Sequence, residues 1–183
     1  MKKSILIFSI VFLCLSVKSQ TIRLPLTQDS TIEYASIIKL KDSTIKKAQL
    51  YSLVRAWFGD RFVNSKYVLQ VEDTNAGRLL AKGSSSKGYN FTIEVLIKDG
   101  KYKYRVYSLE WNEYQPRPFL TSNVSEAYLR YLHNKPENLG FEGKKKAMKV
   151  YDKIFLDLDQ DINDNIINSL QVGILKQKKL DDF

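Results

Sequence analysis

The sequence predicts an α+β domain: a strand, a helix, a four-stranded antiparallel meander and a long final helix, with the helices packed on one face of a five-stranded sheet. Three observations carry that expectation. Asp99-Gly100 separates two alternating runs, residues 90–98 and 101–111, and Asp-Gly is the strongest short hairpin signal. Leu50, Leu53, Val54, Trp57 and Phe58 recur at i, i+3, i+4, i+7 and i+8, one continuous apolar helical stripe. A second stripe, Ala147, Tyr151, Ile154, Leu158, Ile162, Ile166 and Leu170, keeps spacings of three and four throughout. A sheet with one apolar face needs a cover, and two amphipathic helices supply it.

Residues 1–19 read as a signal peptide. Lys2 and Lys3 form a basic start, and residues 5–15 are an apolar run interrupted only by Ser9, too short to span a bilayer. Val17 and Ser19 occupy the −3 and −1 positions of a small-residue cleavage site, leaving Gln20 first. Cys14 follows Phe12 and Leu13, whereas lipoprotein processing wants a small residue before the cysteine, so Cys14 is read as an apolar member of the leader. The chain would then be periplasmic or extracellular, with no transmembrane segment after cleavage. No cysteine remains after residue 19, which excludes a disulfide framework and thiol chemistry. The nine-unit cationic excess falls to six once Lys2, Lys3 and Lys18 leave. That modest positive field favours anionic surfaces such as lipid headgroups or acidic glycans. Export turns the reading away from nucleic acid.

Residues 20–30 form a polar lead-in containing Pro25. Residues 31–40 read as a strand with Ile32, Tyr34, Ser36 and Ile38 on one side. Asp42, Ser43 and Thr44 are a helix-start cluster, and the first helix follows over 45–62. Residues 67–73 alternate as a strand with Tyr67, Leu69 and Val71 on one face; residues 78–82 form the next, and the Ser- and Gly-rich stretch 83–88 is a hairpin loop. The two-residue turn at Asp99-Gly100 fixes the register of the last pair. Ile97, Val95 and Ile93 then oppose Tyr102, Tyr104 and Val106 on the apolar face, while Leu96, Glu94 and Thr92 oppose Lys103, Arg105 and Tyr107 on the other. Pro116 and Pro118 end the strand region, which defines a sheet-and-helix unit over 31–112. Within the connection 113–143, Asn123 and Glu126 make a capping box for a short helix with Tyr128, Leu129 and Leu132 as its apolar side, before Pro136, Gly140 and Gly143. The final helix covers 144–170, inside a packing segment 144–172, and 173–183 is a polar tail.

The pairs Leu50-Tyr51 and Trp57-Phe58, the stretches Val71-Glu72-Asp73 and Ala81-Lys82-Gly83, and above all Lys98-Asp99-Gly100-Lys101-Tyr102-Lys103-Tyr104-Arg105 resemble the DUF4468 family of exported bacterial proteins. The resemblance covers roughly 31–112, with a looser echo in the final helix, and implies a TBP-like fold. It implies no activity, cofactor or catalytic residue, and the fold name gives no licence to infer DNA binding.

No catalytic or metal-binding constellation stands out. Asp157, Asp159, Asp161 and Asp164 suggest a calcium loop, but the glycine and glutamate such a loop needs are replaced by Ile162 and Asn168. Helical spacing places Asp157, Asp161, Asp164 and Asn168 on one solvated face instead. His133, the single histidine, sits at a helix end without a nucleophile motif, and one histidine with no cysteine argues against a structural zinc site. Residues 83–88 lack a Walker lysine and open a strand, not a helix. Asn90-Phe91-Thr92 and Asn123-Val124-Ser125 match the glycosylation acceptor pattern. No cofactor is expected.

The remaining feature is a basic, aromatic strand. Lys101, Lys103 and Arg105 alternate with Tyr102 and Tyr104 and face away from the helices, with Lys98 and Tyr107 beside them. These five, Lys98, Lys101, Lys103, Arg105 and Tyr107, form the candidate surface for an anionic envelope component or another envelope protein. The competing explanation is edge protection, because lysines on a terminal strand discourage edge-to-edge pairing, with Glu94 neutralising Arg105. The sequence therefore points to a non-catalytic binding module of the cell envelope. The alternatives are an enzyme with a carboxylate site between the sheet and the 116–143 connection, or a subunit pairing through its sheet edge.

Overall fold

The computed structural model describes residues 22–62, 68–112, 121–133 and 140–181. The leader at 1–19, Tyr67, Pro116, Pro118 and Pro136 lie outside the described residues. The elements in chain order are β1 (Tyr34–Lys39), α1 (Lys47–Arg61), β2 (Leu69–Asp73), β3 (Arg78–Ser84), β4 (Tyr89–Lys98), β5 (Lys101–Trp111), α2 (Val124–Leu132), α3 (Phe141–Asp161), a π-helical stretch (Ile162–Asn168) and α4 (Ser169–Asp181). The five strands form one antiparallel sheet in the order β1-β5-β4-β3-β2. Helix α1 carries the chain from one edge of the sheet to the other, so β5 lies between β1 and β4. The edge-protection explanation for its lysines fails on that point: β5 is an interior strand.

The Asp99-Gly100 hairpin has the predicted register, with Lys98 opposite Lys101, Ile97 opposite Tyr102 and Glu94 opposite Arg105. Gly100 has φ +68 and an added Cβ would approach the Ser43 carbonyl oxygen to 2.9 Å, so glycine is required twice over. Asp99 has a further role. Its Oδ1 accepts the Lys47 N–H at 2.7 Å and satisfies an open amide at the start of α1. The expected helix-start cluster does not cap the helix. Asp42 instead accepts from the Thr44 amide and hydroxyl in a local turn, and α1 begins after Lys46, which makes no side-chain cap.

The structure corrects one strand, one helix and the lead-in. A bulge between Leu69 and Val71 pairs Leu69 with Ala81 but Val71 with Leu80, so these two residues face opposite sides of the sheet. Asn123 caps α2 as expected, accepting from the Glu126 amide at 3.0 Å, but the Glu126 carboxylate turns to Thr121. The buried side of α2 is Val124, Ala127, Tyr128 and Tyr131, and Leu132 is exposed. The lead-in is not merely polar. Leu24 is buried, its N–H donates to the Tyr128 hydroxyl at 2.9 Å, and that hydroxyl donates to the Ile22 carbonyl at 2.7 Å.

The inner face of the sheet (Leu79, Ala81, Ile93, Val95, Ile97, Tyr102, Val106) is sealed by Leu50, Val54 and Phe58 of α1, by Phe155 and Leu158 of α3 and by Ile162 at the start of the π-helical stretch. Helix α4 packs on α1, with the Trp57 indole N–H donating to Ser169 Oγ at 3.0 Å and Gly173 against the Trp57 ring. The polar-tail expectation for 173–183 is wrong: the helix continues to Asp181, Ile174 is buried, and Lys178 pairs with Asp42 at 2.7 Å. The reason lies in the spacing. Leu158, Ile162, Ile166, Leu170 and Ile174 step by four, and each such step overshoots an α-helical turn by about 40°. A straight α-helix would carry Ile174 nearly opposite Leu158. The wider turns of the π stretch absorb the excess, and all five residues are buried.

Candidate functional site

The face of the sheet away from the helices holds the predicted surface residues. Strand pairing lays them out in rungs. Lys39, Lys101 and Lys98 form the rung next to the hairpin; Ile37, Lys103, Leu96 and Arg78 form the next; Ala35, Arg105, Glu94 and Leu80 the third. Lys39, Lys98, Lys101 and Lys103 are all exposed, and none makes an ion pair among the described residues. Lys101 thus stands directly between two lysines, an arrangement that costs stability on a sheet surface. Two apolar side chains are interleaved with them, Leu96 at 37% and Ile37 at 60% exposure.

Arg105 behaves differently. It makes a bidentate pair with Glu33 (2.8 Å from Nε and 2.8 Å from Nη2), reaches Glu94 at 3.3 Å and stacks over the Tyr107 ring at 4.7 Å. Glu94, only 6% exposed, binds Arg78 more closely, at 2.7 Å. The Arg105 guanidinium holds the Glu33 carboxyl below its ordinary range against a smaller opposing push from burial, and Glu33 in turn raises Arg105. The structure thus divides the predicted five. Lys98, Lys101 and Lys103 are available to a partner, whereas Arg105 and Tyr107 complete an internal network. Sequence reasoning anticipated the Glu94–Arg105 contact but missed Glu33, and it missed Lys39 and Ile37. Those three residues depend on β1 docking beside β5, which local pattern does not specify.

The acidic face assigned to the final helix is also corrected. Asp161 is 5% exposed and faces the sheet, where Oδ2 accepts from Ser85 Oγ at 2.5 Å and Tyr89 OH at 2.7 Å, and Oδ1 accepts from Asn165 Nδ2 at 2.6 Å. Burial pushes this carboxyl upward, but the three donors outweigh it and leave it below the usual range. Tyr34 donates similarly to Asp159 at 2.7 Å, and Tyr131 to Asp152 at 2.5 Å. Burial first, and then these carboxylates, raise all three tyrosines, Tyr34, Tyr89 and Tyr131. These Tyr–Asp contacts fasten α3 to the sheet and to α2. His133 is exposed at the end of α2. Among the described residues no group of three His, Cys, Asp or Glu side chains is placed to hold a metal ion, and no helix is long and apolar enough to cross a membrane.

Between the sheet and the start of α2 lies a hollow of about 360 Å³ lined in part by Asp29, Glu33, Arg105, Glu110, Asn123 and Ser125. Its three acids are not equivalent, because Glu33 is committed to Arg105.

Residues 34–112 match the profile of a domain of unknown function, DUF4468, with a TBP-like fold. Over these residues the chain is similar to the DUF4468 family. All five strands, α1 and the lysine rungs fall inside the DUF4468 segment, whereas the buried Asp161 and helices α2 to α4 lie beyond it. The fold is similar to that of a crystallised TBP-like protein from Parabacteroides distasonis ATCC 8503, with a TM-score of 0.51 and 11% identity over 80% of this chain and 96% of that one. A crystallised DUF4468 family protein from Bacteroides ovatus ATCC 8483 shows 17% identity over 78% of this chain and 89% of its own, with a TM-score of 0.48. No curated protein matches the chain.

Proposed function

We propose that the chain is exported and acts as a non-catalytic binding module of the cell envelope, docking an anionic component on the outer face of its DUF4468 sheet. One observation carries this reading. Lys39, Lys98, Lys101 and Lys103 occupy two adjacent rungs and make no ion pair among the described residues, while the charges of the next rung are neutralised within the protein. Like charges placed side by side cost stability, and an anionic partner would recover that cost. The face has Ile37 and Leu96 among the lysines, which suits an extended surface better than a small molecule.

The test is co-sedimentation with vesicles containing anionic lipid, beside purely zwitterionic vesicles and a soluble acidic polysaccharide. The unaltered protein binds an anionic probe, and added salt weakens the binding. Each lysine near an anionic membrane contributes about 1 kcal/mol, so Lys101→Glu with Lys103→Glu removes at least ~2 kcal/mol, roughly a 30-fold loss. Binding unchanged by the reversals, or no binding to any anionic probe, overturns the proposal.

A second reading, a carboxylate enzyme, draws support from the hollow with Asp29 and Glu110. It predicts that Glu110→Gln abolishes turnover of a substrate found by screening while leaving the fold intact. A screen without turnover leaves that reading without a basis.

A further inference from the structure

Beyond the neutralised third rung the outer face of the sheet changes character. Strand pairing continues it with Lys82, Thr92 and Tyr107, and then with Ser84, Asn90 and Glu110. A hollow of about 810 Å³ opens here, within the usual size of a ligand site. It is lined by Lys82, Ser84, Asn90, Thr92, Ser108 and Glu110, none of which makes a side-chain hydrogen bond or ion pair among the described residues. Ser108 and Glu110 also line the 360 Å³ hollow beside α2, so the two hollows adjoin and form one elongated trough.

Two features set this trough apart from an ordinary polar surface. Thr92 is only 7% exposed, yet its hydroxyl has no partner among the described residues and lines the hollow. Buried hydroxyls are normally bonded within the protein. Ser108 has φ +52, in the left-handed region. Asn90 opposes Glu110 whereas Thr92 opposes Tyr107, so β5 carries one extra residue there. The left-handed position of such a bulge is normally glycine, because a side chain is strained in it. Strain of this kind gathers at functional sites. Serine in place of glycine puts a hydroxyl at the junction of the two hollows.

We propose that the trough binds an uncharged oligosaccharide. Its charges are mixed: Lys82 and Glu110 line it together, which favours neither an anion nor a cation. The hydroxyls of Ser84, Thr92 and Ser108 each donate once and accept twice, and the Asn90 amide does both. A ligand that satisfies such a lining carries donors and acceptors in number and in close alternation, as sugar hydroxyls do. Phe62, half-buried at the side of the hollow, offers apolar surface to the C–H face of a sugar ring. The length of the trough suits several linked units better than one. This site is separate from the lysine rungs, so the anionic-partner reading and the sugar site can each fail alone.

Titration calorimetry of the full chain against maltohexaose, cellohexaose, mannohexaose and chitohexaose tests it, with a neutral Gly-Ser peptide of similar length alongside. At least one hexasaccharide binds, more tightly than its own disaccharide, and neither added salt nor Lys101→Glu with Lys103→Glu weakens it. Thr92→Val keeps the shape and removes the hydroxyl, so binding weakens about three- to tenfold while the melting temperature does not fall. Ser108→Gly weakens binding similarly and relieves the strained position, raising the melting temperature by about 2–4 °C. Both variants therefore lose affinity without losing the fold. No binding to any of the four sugars, binding indifferent to both substitutions, the Gly-Ser peptide bound as tightly as a sugar, or a fall in melting temperature in Thr92→Val overturns the proposal.

Discussion

Truncating Asp161 to alanine tests whether a buried carboxylate holds the long helical rod against the sheet. In the native protein its carboxylate gathers three donors, Ser85, Tyr89 and Asn165, at 2.5–2.7 Å. Removing it strands them unequally. Ser85 is half-buried and Asn165 exposed, so both turn to water and lose about 1 kcal/mol each. Tyr89 is fully buried and has no such escape, and an orphaned buried hydroxyl costs about 1–3 kcal/mol. Relief from burying a charge offsets part of this, leaving a loss of about 3 kcal/mol. For a chain of this size that is a fall in melting temperature of about 6–12 °C.

Calorimetry on Asp161→Ala, Tyr89→Phe and the double variant isolates the contact. Removing the tyrosine hydroxyl also removes the orphan, so the double variant is more stable than the sum of the single losses predicts, by about 1–3 kcal/mol. The pH dependence gives an independent check. Because the folded carboxyl sits below its unfolded value, its contribution is full above a pH of about 4 and is lost as pH falls through the folded value. Asp161→Ala therefore flattens part of the acid limb of the stability curve. Strict additivity in the double variant, or an acid limb unchanged by the truncation, refutes the reasoning.

Other perturbations follow from packing. Glu94→Gln leaves Arg78 and Arg105 without their shared carboxylate; both are partly exposed, so the loss is limited to about 1–2 kcal/mol in urea unfolding. Gly59→Ala adds a methyl where nothing lies within 4 Å and stabilises α1 by about 0.5–1 kcal/mol. Gly173→Ala places its Cβ 2.3 Å from Trp57 Cδ1, costs about 1–3 kcal/mol in the same assay, and perturbs tryptophan fluorescence.

The parts of this fold that were legible in the sequence are those set by neighbours in the chain. Asp99-Gly100 fixed seven residues of β4–β5 register on either side of it, because a two-residue turn admits one alignment for a given inward face. The α1 stripe was legible for the same reason, since Leu50, Leu53, Val54, Trp57 and Phe58 share a face by helix geometry alone and all are buried. What local pattern does not carry is the choice of partner for β1. Placing it beside β5 creates the Glu33–Arg105 pair and sets Lys39 beside Lys101, and each joins residues more than sixty positions apart.

Asp161 shows how a pattern can be present and still mislead. In an α-helix, Asp157, Asp161, Asp164 and Asn168 share a face opposite the apolar stripe, which made all four look solvated. The stripe itself advances by four from Leu158 to Ile174, a spacing that an unbroken α-helix cannot keep on one side. Taken seriously, that spacing calls for wider turns, and they occur at Ile162–Asn168. The rod enters this stretch with both Asp161 and Ile162 buried, so one acid shares the interface with the apolar stripe while Asp164 and Asn168 remain exposed. An acid in that position is tolerable only if donors meet it, and Ser85 and Tyr89 come from the loop and strand that face it. The Ser- and Gly-rich loop, read as a plain hairpin connection, therefore has a packing role, supplying a hydroxyl to a carboxylate 76 residues further along the chain.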